Sequence, residues 1–220
     1  MKVGEDMKKI FWILTTIIFS LNLNGSYLYN EEDLYKDISS IIDFSESGLK
    51  VSFSTNKDLK KILKSINELD LFYLDEILYE DNILENKFYF EKINGDNSIK
   101  VLIGKEKNYN IEIEIIDKKN MINIDLLKKE LDKLSKDAYN FNYFTFVKGK
   151  LESQSNYELE DSLFNMLDCY NIGNKSSVLL ENGLTGIFTV EETLKFNYSI
   201  MNYNNGTYLI MGSPIIFITY

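Results

Sequence analysis

The chain has no histidine and no arginine; all 24 of its basic residues are lysine. Without histidine there is no side chain that ordinarily changes charge near neutral pH, and the commonest metal ligand is missing. Without arginine there is no planar fork to grip phosphate or carboxylate through two parallel hydrogen bonds. Proline, cysteine and tryptophan occur once each. A single cysteine, Cys169, cannot form an internal disulfide, and with no histidine available a Cys–His nucleophile cannot be built. Cys169 lies on an apolar helical pattern and is expected to be a small buried hydrophobe. The net charge is −10, which would repel nucleic acid and anionic membrane surfaces.

What is abundant is aromatic and aliphatic. Across 220 residues, 45% are hydrophobic and 14% aromatic, with 15 tyrosines and 14 phenylalanines. That composition excludes wholesale disorder and provides for a substantial core rich in strands. Lys8 and Lys9 precede the apolar stretch Ile10–Leu23, followed by Asn-Gly-Ser. A basic flank, a short apolar run and small polar residues predict a secretory signal, or an uncleaved anchor, over residues 1–25. Met7 reads as the natural start, and no cysteine stands near the junction to accept a lipid. The expected location is outside the cytoplasm, secreted or held at the membrane by that segment, with the mature body beginning near Ser26.

From there the pattern is read twice. A first helix capped by Asn30 carries Leu34, Ile38, Ile41 and Ile42 on one stripe, and Gly48 ends it. Leu49, Val51 and Phe53 alternate with polar neighbours as a strand, and a second helix, which Thr55 and Asn56 can cap, carries Leu59, Ile62, Leu63, Ile66 and Leu69. Helix and strand compete over 70–84. A meander follows through Phe88 and Phe90, an Asn94-Gly95 turn, Ile99–Ile103, and a clean alternation from Tyr109 to Ile115. A helix capped by Asn123, a strand over Phe141–Leu151, a helix capped by Asn156, and strands around Val178–Leu180, Leu184–Val190 and Leu194–Ile200 repeat the order. The expectation is an α+β protein of two similar units, 26–120 and 121–220, each a mostly antiparallel sheet with helices on one face.

The end of the chain, Gly206–Tyr220, is apolar on both alternating sets. It predicts a strand covered on both faces and broken at Gly212 and Pro214 into two short pieces, with the terminus pinned inside the fold. Tyr208, the run Gly212-Ser213-Pro214, the apolar residues after it and Tyr220 resemble the C-terminal signature of the YwmB family of spore-forming Gram-positive bacteria. That resemblance implies an exported protein with a fold like that of the TATA-box-binding protein, and it brings no catalytic or binding residues with it. DNA binding is not expected, because residues 151–220 pair only Lys175 and Lys195 with eight carboxylates.

Three carboxylate groups invite a catalytic interpretation: Glu112 with Glu114, Glu158 with Glu160 and Asp161, and Glu191 with Glu192. Two carboxylates suffice to cleave a glycan. Alternation places the first pair on a solvated strand face, the helix start accounts for the second group, and the third reads as a hairpin turn. Asn174, Asn197 and Asn205 begin N-x-S/T triplets that read as incidental. No catalytic, cofactor or metal residues are assigned. The expected role is binding or scaffolding of an envelope protein or wall component, with a carboxylate-dependent wall hydrolase as the alternative.

Overall fold

The computed structural model describes residues 31–69, 83–84, 87–152 and 155–218. The anticipated signal segment, the Asn30 cap, most of the ambiguous 70–84 stretch and Tyr220 lie outside them. In order, the elements are α1 (Glu31–Ser39), β1 (Asp43–Thr55), α2 (Leu59–Asn67), β2 (Ile83–Leu84), β3 (Lys87–Asn94), β4 (Asn97–Lys105), β5 (Tyr109–Asp117), α3 (Ile124–Leu131), β6 (Tyr139–Leu151), α4 (Asn156–Met166), β7 (Ile172–Leu180), β8 (Gly183–Val190), β9 (Leu194–Tyr203) and β10 (Gly206–Ser213). Short 3-10 turns continue α3 over Asp132–Asp137 and α4 over Leu167–Cys169.

All the strands join one antiparallel sheet, in the order β2-β3-β4-β5-β1-β6-β10-β9-β8-β7. Outward from the central β1–β6 pair, β5, β4, β3 and β2 lie on one flank; β10, β9, β8 and β7 lie on the other. A helix stands immediately before and after β1, and likewise before and after β6.

Parity decides which side chains meet the helices. Leu49, Val51 and Phe53 of β1 pair in register with Ile115, Ile113 and Ile111 of β5, and all are buried. Across the other flank the same layer runs through Met211 and Leu209 to Tyr198 and Ile200. Over this layer lie Leu34 and Ile38 of α1, Ile62 and Ile66 of α2, Leu127 and Leu131 of α3, and Leu163 of α4. A period-2 stripe on strands has met period-3.6 stripes on helices, which is the general solution for an α+β layer pair.

Tyrosine hydroxyls fasten the layers. Tyr198 of β9 donates to Glu160 of α4, and Tyr170 donates to Asp37 of α1 at 2.6 Å. Tyr143 of β6 donates to the Lys128 carbonyl at 2.9 Å and to Asp132 at 2.7 Å. Tyr35, fully buried, lies 3.0 Å from the Thr145 hydroxyl, which in turn donates to Glu31. Desolvation, and then the carboxylate each one faces, pushes the Tyr143, Tyr170 and Tyr198 phenols well above their ordinary pKa. Burial does the same for Tyr35, reinforced by Glu31. They remain neutral donors.

Several expectations are corrected. The first helix ends at Ser39, and residues 43–48 already belong to β1, so Gly48 is a strand residue rather than a helix stop. Asp58 caps α2 in place of Thr55 or Asn56. Ser155 caps α4 in a reciprocal box with Glu158, and Asn156 is its first residue. Cys169 is exposed. Gly206–Ser213 forms one strand, in the interior of the sheet between β6 and β9, rather than two short pieces.

Candidate functional site

The helix-free face of the sheet gathers the polar half of the alternation. Lys100, Glu114, Lys50 and Phe144 stand side by side across β4, β5, β1 and β6. In neighbouring rows come Glu112, Glu46, Lys148 and Tyr208. Lys148 binds Glu46 at 2.8 Å, and its ammonium lies 6.0 Å from the Tyr208 ring centre. Lys50 reaches Glu112 at 3.7 Å. Four carboxylates (Glu46, Glu91, Glu112, Glu114) thus share the face with Lys50, Lys100 and Lys148, and Lys118 lines both of its clefts, so its charge is mixed.

A strap crosses this face. After a cis Ser213–Pro214 bond the chain turns back over the sheet. A row of small and flat residues receives it: Gly48, Phe146 and Gly212 are aligned across β1, β6 and β10. A Cβ at Gly212 would stand 3.1 Å from Ile216, and one at Gly48 would stand 2.3 Å from the Phe146 ring. Glycine at both positions is therefore needed for close approach, not for turning. Phe217 meets Phe146 edge to face at 5.1 Å. The Lys50 ammonium lies 5.2 Å from the Phe144 ring centre and 5.3 Å from that of Phe217, a cation flanked by two aromatic faces. Residues 214–218 are thus laid across the outside of the sheet, and not pinned inside the fold.

The strap borders one of two clefts on this side. The first, about 470 Å³, is bounded by Phe217 and Ile218 and by Glu91, Lys100, Glu114 and Lys118. Partial burial raises the Glu114 pKa, against the pull of Lys100 and Lys50. The buried Asn97 Oδ1 in its wall is an acceptor without a partner among the described residues. The second cleft, about 380 Å³, is lined by Glu46, Lys118, Lys148, Tyr203, Asn205 and Tyr208. Tyr203 and Tyr208 meet edge to face at 5.6 Å, and Asn205 donates its amide to the Tyr208 hydroxyl at 3.1 Å. A larger cleft of about 820 Å³ opens on the helix side around Ile42, Leu159, Leu163 and Lys150. It adjoins residues 153–154, which lie outside the described set.

The three carboxylate groups singled out in the sequence do not converge. Glu112 and Glu114 sit on the helix-free face of β5. Glu158, Glu160 and Asp161 lie on α4, across the sheet, with Glu158 engaged in the cap and Glu160 buried against Tyr198. Glu191 and Glu192 form the β8–β9 turn, both in the left-handed region at φ 51° and 58°. Asn174 sits at a break in the β7–β8 register, Asn197 faces the helix-free side, and Asn205 is in the last turn. Sequence reading missed Lys50, the Glu46–Lys148 pair, and Gly48 with Gly212. The available signal was parity on β1: Glu46, Gly48 and Lys50 fall on the side opposite its apolar series Leu49, Val51 and Phe53.

This face can hold a mixed-charge or aromatic ligand by ion pairing, hydrogen bonding and stacking. Compared with known proteins, the chain is matched by no family model and by no curated protein.

Proposed function

We propose that this is an exported, envelope-associated binding or scaffolding protein that captures its partner on the helix-free face, beside the C-terminal strap. The observation that carries the proposal is the pair of clefts on that face, lined by lysine–carboxylate pairs and tyrosines and bordered in one case by a movable-sized element of the chain itself. The matched strand order about the β1–β6 pair supports two similar α+β units meeting near residue 120. The likeness to the YwmB family rests on the C-terminal residues alone, Tyr208, Gly212, Ser213, Pro214 and Tyr220. Carboxylates interleaved with the lysines of this face, in a chain of net charge −10, weigh against a phosphate backbone as the partner. An envelope protein or a wall component carrying its own amines and carboxylates fits better.

The test is capture. Purified chain is incubated with wall fragments and with solubilised envelope proteins, alongside Lys148→Glu and Tyr208→Ala variants. Retention that weakens about tenfold or more in the variants, with folding intact, supports the proposal; retention equal in all three overturns it.

A second reading has one observation in its favour. Glu114 has a raised pKa and shares a cleft with Glu91 and Glu46, as a general acid beside a carboxylate partner would. Release of reducing ends from wall glycan, abolished by Glu114→Gln, would establish that hydrolase in place of the binding module.

A further inference from the structure

Among the described residues β7 is the outermost strand on its flank, and Asn174–Leu180 are exposed along it. Val178, Leu179 and Leu180 are apolar and 63%, 59% and 40% exposed, with Ile187 of β8 beside them at 50%. Edge strands in monomeric proteins ordinarily carry a charge or a proline within such a run. Here the five residues Ser176–Leu180 have neither, and charge appears only at the flanks, Lys175 and Glu181.

The register of the hairpin determines which backbone groups are free. Leu180 pairs with Gly183 across the two-residue turn, so their N–H and C=O groups bond each other. Alternation then turns Val178 and Ser176 toward β8. Ser177 and Leu179 point their N–H and C=O groups outward. A second antiparallel strand would bond at Ser177 and Leu179.

The sequence is self-complementary about Val178. Antiparallel pairing of β7 with another β7, centred there, sets Ser177 against the other copy's Leu179, which are the two outward-bonding positions. It sets Val178 against Val178 and Ser176 against Leu180. One step further it sets Lys175 of each copy against Glu181 of the other, giving two opposite-charge pairs. A shift of register by two residues would lose both pairs, setting Lys175 against Leu179 in one direction and Glu181 against Ser177 in the other. The register break between Gly173 and Ser176, with Asn174 at φ 46°, ends the pairing just beyond Lys175.

We infer that β7 is a self-association edge, at which two copies of this chain join antiparallel through Lys175–Glu181 into one continuous sheet. The two-fold axis stands normal to the sheet. Both helix-free faces therefore point the same way, and both helix layers lie together on the opposite side.

The experiment is sedimentation of the full chain over a range of concentrations, with four variants. Leu179→Pro removes an outward N–H without touching the β7–β8 ladder, and is expected to leave a folded monomer. Glu181→Lys and Lys175→Glu each set like charges together at both ends and are expected to weaken the dimer by about tenfold. The double exchange, Lys175→Glu with Glu181→Lys, is expected to restore it. A wild-type chain that stays monomeric at every concentration overturns the inference. So does a dimer that survives Leu179→Pro, or a double exchange no stronger than the single ones. Circular dichroism on each variant separates loss of pairing from loss of folding; the Lys175 ammonium also rests 3.7 Å from the Phe164 ring centre, so Glu181→Lys, which leaves that contact in place, remains decisive even if the proline or Lys175 variants unfold.

Discussion

The two faces of the sheet are built from the same strands and hold their coverings by different physics. On one side a continuous aliphatic layer is roofed by four helices and fastened by tyrosine–carboxylate hydrogen bonds. On the other, a short strap rests on a glycine–phenylalanine row, between a lysine and an aromatic ring. Burial of apolar area scales with the area covered, so the first covering is integral to folding and the second contributes little. A weakly held covering over a polar face can be exchanged for a ligand; a helix layer over a core cannot.

The largest effect should come from cutting the chain on either side of Ser213. Removal of residues 209–220 takes away the interior strand between β6 and β9, and cooperative thermal unfolding should disappear. Removal of 214–220 takes away only the strap, and the chain should still melt cooperatively. If the two truncations melt alike, the contrast between the faces fails.

Within the helix-covered face, Leu49→Ala should cost about 2–5 kcal/mol by denaturant unfolding, because Leu49 is wholly buried and its neighbours can collapse only in part. Tyr198→Phe should cost about 1–3 kcal/mol, since Glu160 would lose its donor while remaining buried. Phe217→Ala, on the strap, should cost about 1 kcal/mol or less, the scale of one edge-to-face ring contact. A strap variant as damaging as Leu49→Ala would erase the distinction.

The smallest effects are in pH dependence, and their signs differ in range rather than direction. Folding raises the tyrosine phenols above their ordinary value of 10.0. Above pH 10 the unfolded chain therefore releases protons that the folded one keeps. Stability contributed by these groups is whole below pH 10 and falls as pH rises beyond it. The melting temperature should decline from about pH 10 upward, less steeply in Tyr198→Phe. Glu114 is likewise raised from 4.5, so its contribution is whole below that value and is lost as pH rises through the folded pKa. Glu114→Gln should therefore melt slightly higher than wild type at neutral pH and equal to it near pH 4.

Much of the helix-covered face was legible in the sequence. The stripe Leu59, Ile62, Leu63, Ile66 and the alternation Ile111, Ile113, Ile115 each report a regular element with one apolar side, and each is buried as expected. The helix-free face was legible only as a residue of that alternation. Lys50 and Glu114 read as solvated because parity says which side a residue faces and nothing about what else lies there. The strap depends on Gly48, Phe146 and Gly212, which are distant in sequence and become a row only through register. Glycine after an apolar stripe usually signals a helix stop; close strand approach, as at Gly48, uses the same residue. Cys169 was misplaced for a local reason. The helix tightens to a 3-10 turn at Leu167, each residue then advances further around the axis, and the α-helical stripe no longer predicts which one faces inward. The Asn94-Gly95 turn was displaced by one residue: Asn94 pairs with Asn97, and the turn is Gly95–Asp96, with Gly95 at φ 61°.

The placement of β10 carries a consequence for synthesis. The last of the described strands occupies an interior slot, against β6 on one side and β9 on the other. While the polypeptide is still being made, β6 has an open edge where β10 will later lie, and β9 lacks its inner neighbour. Native assembly has to wait for the final segment to emerge, which makes the nascent chain slow to commit and dependent on whatever shields that open edge in the meantime.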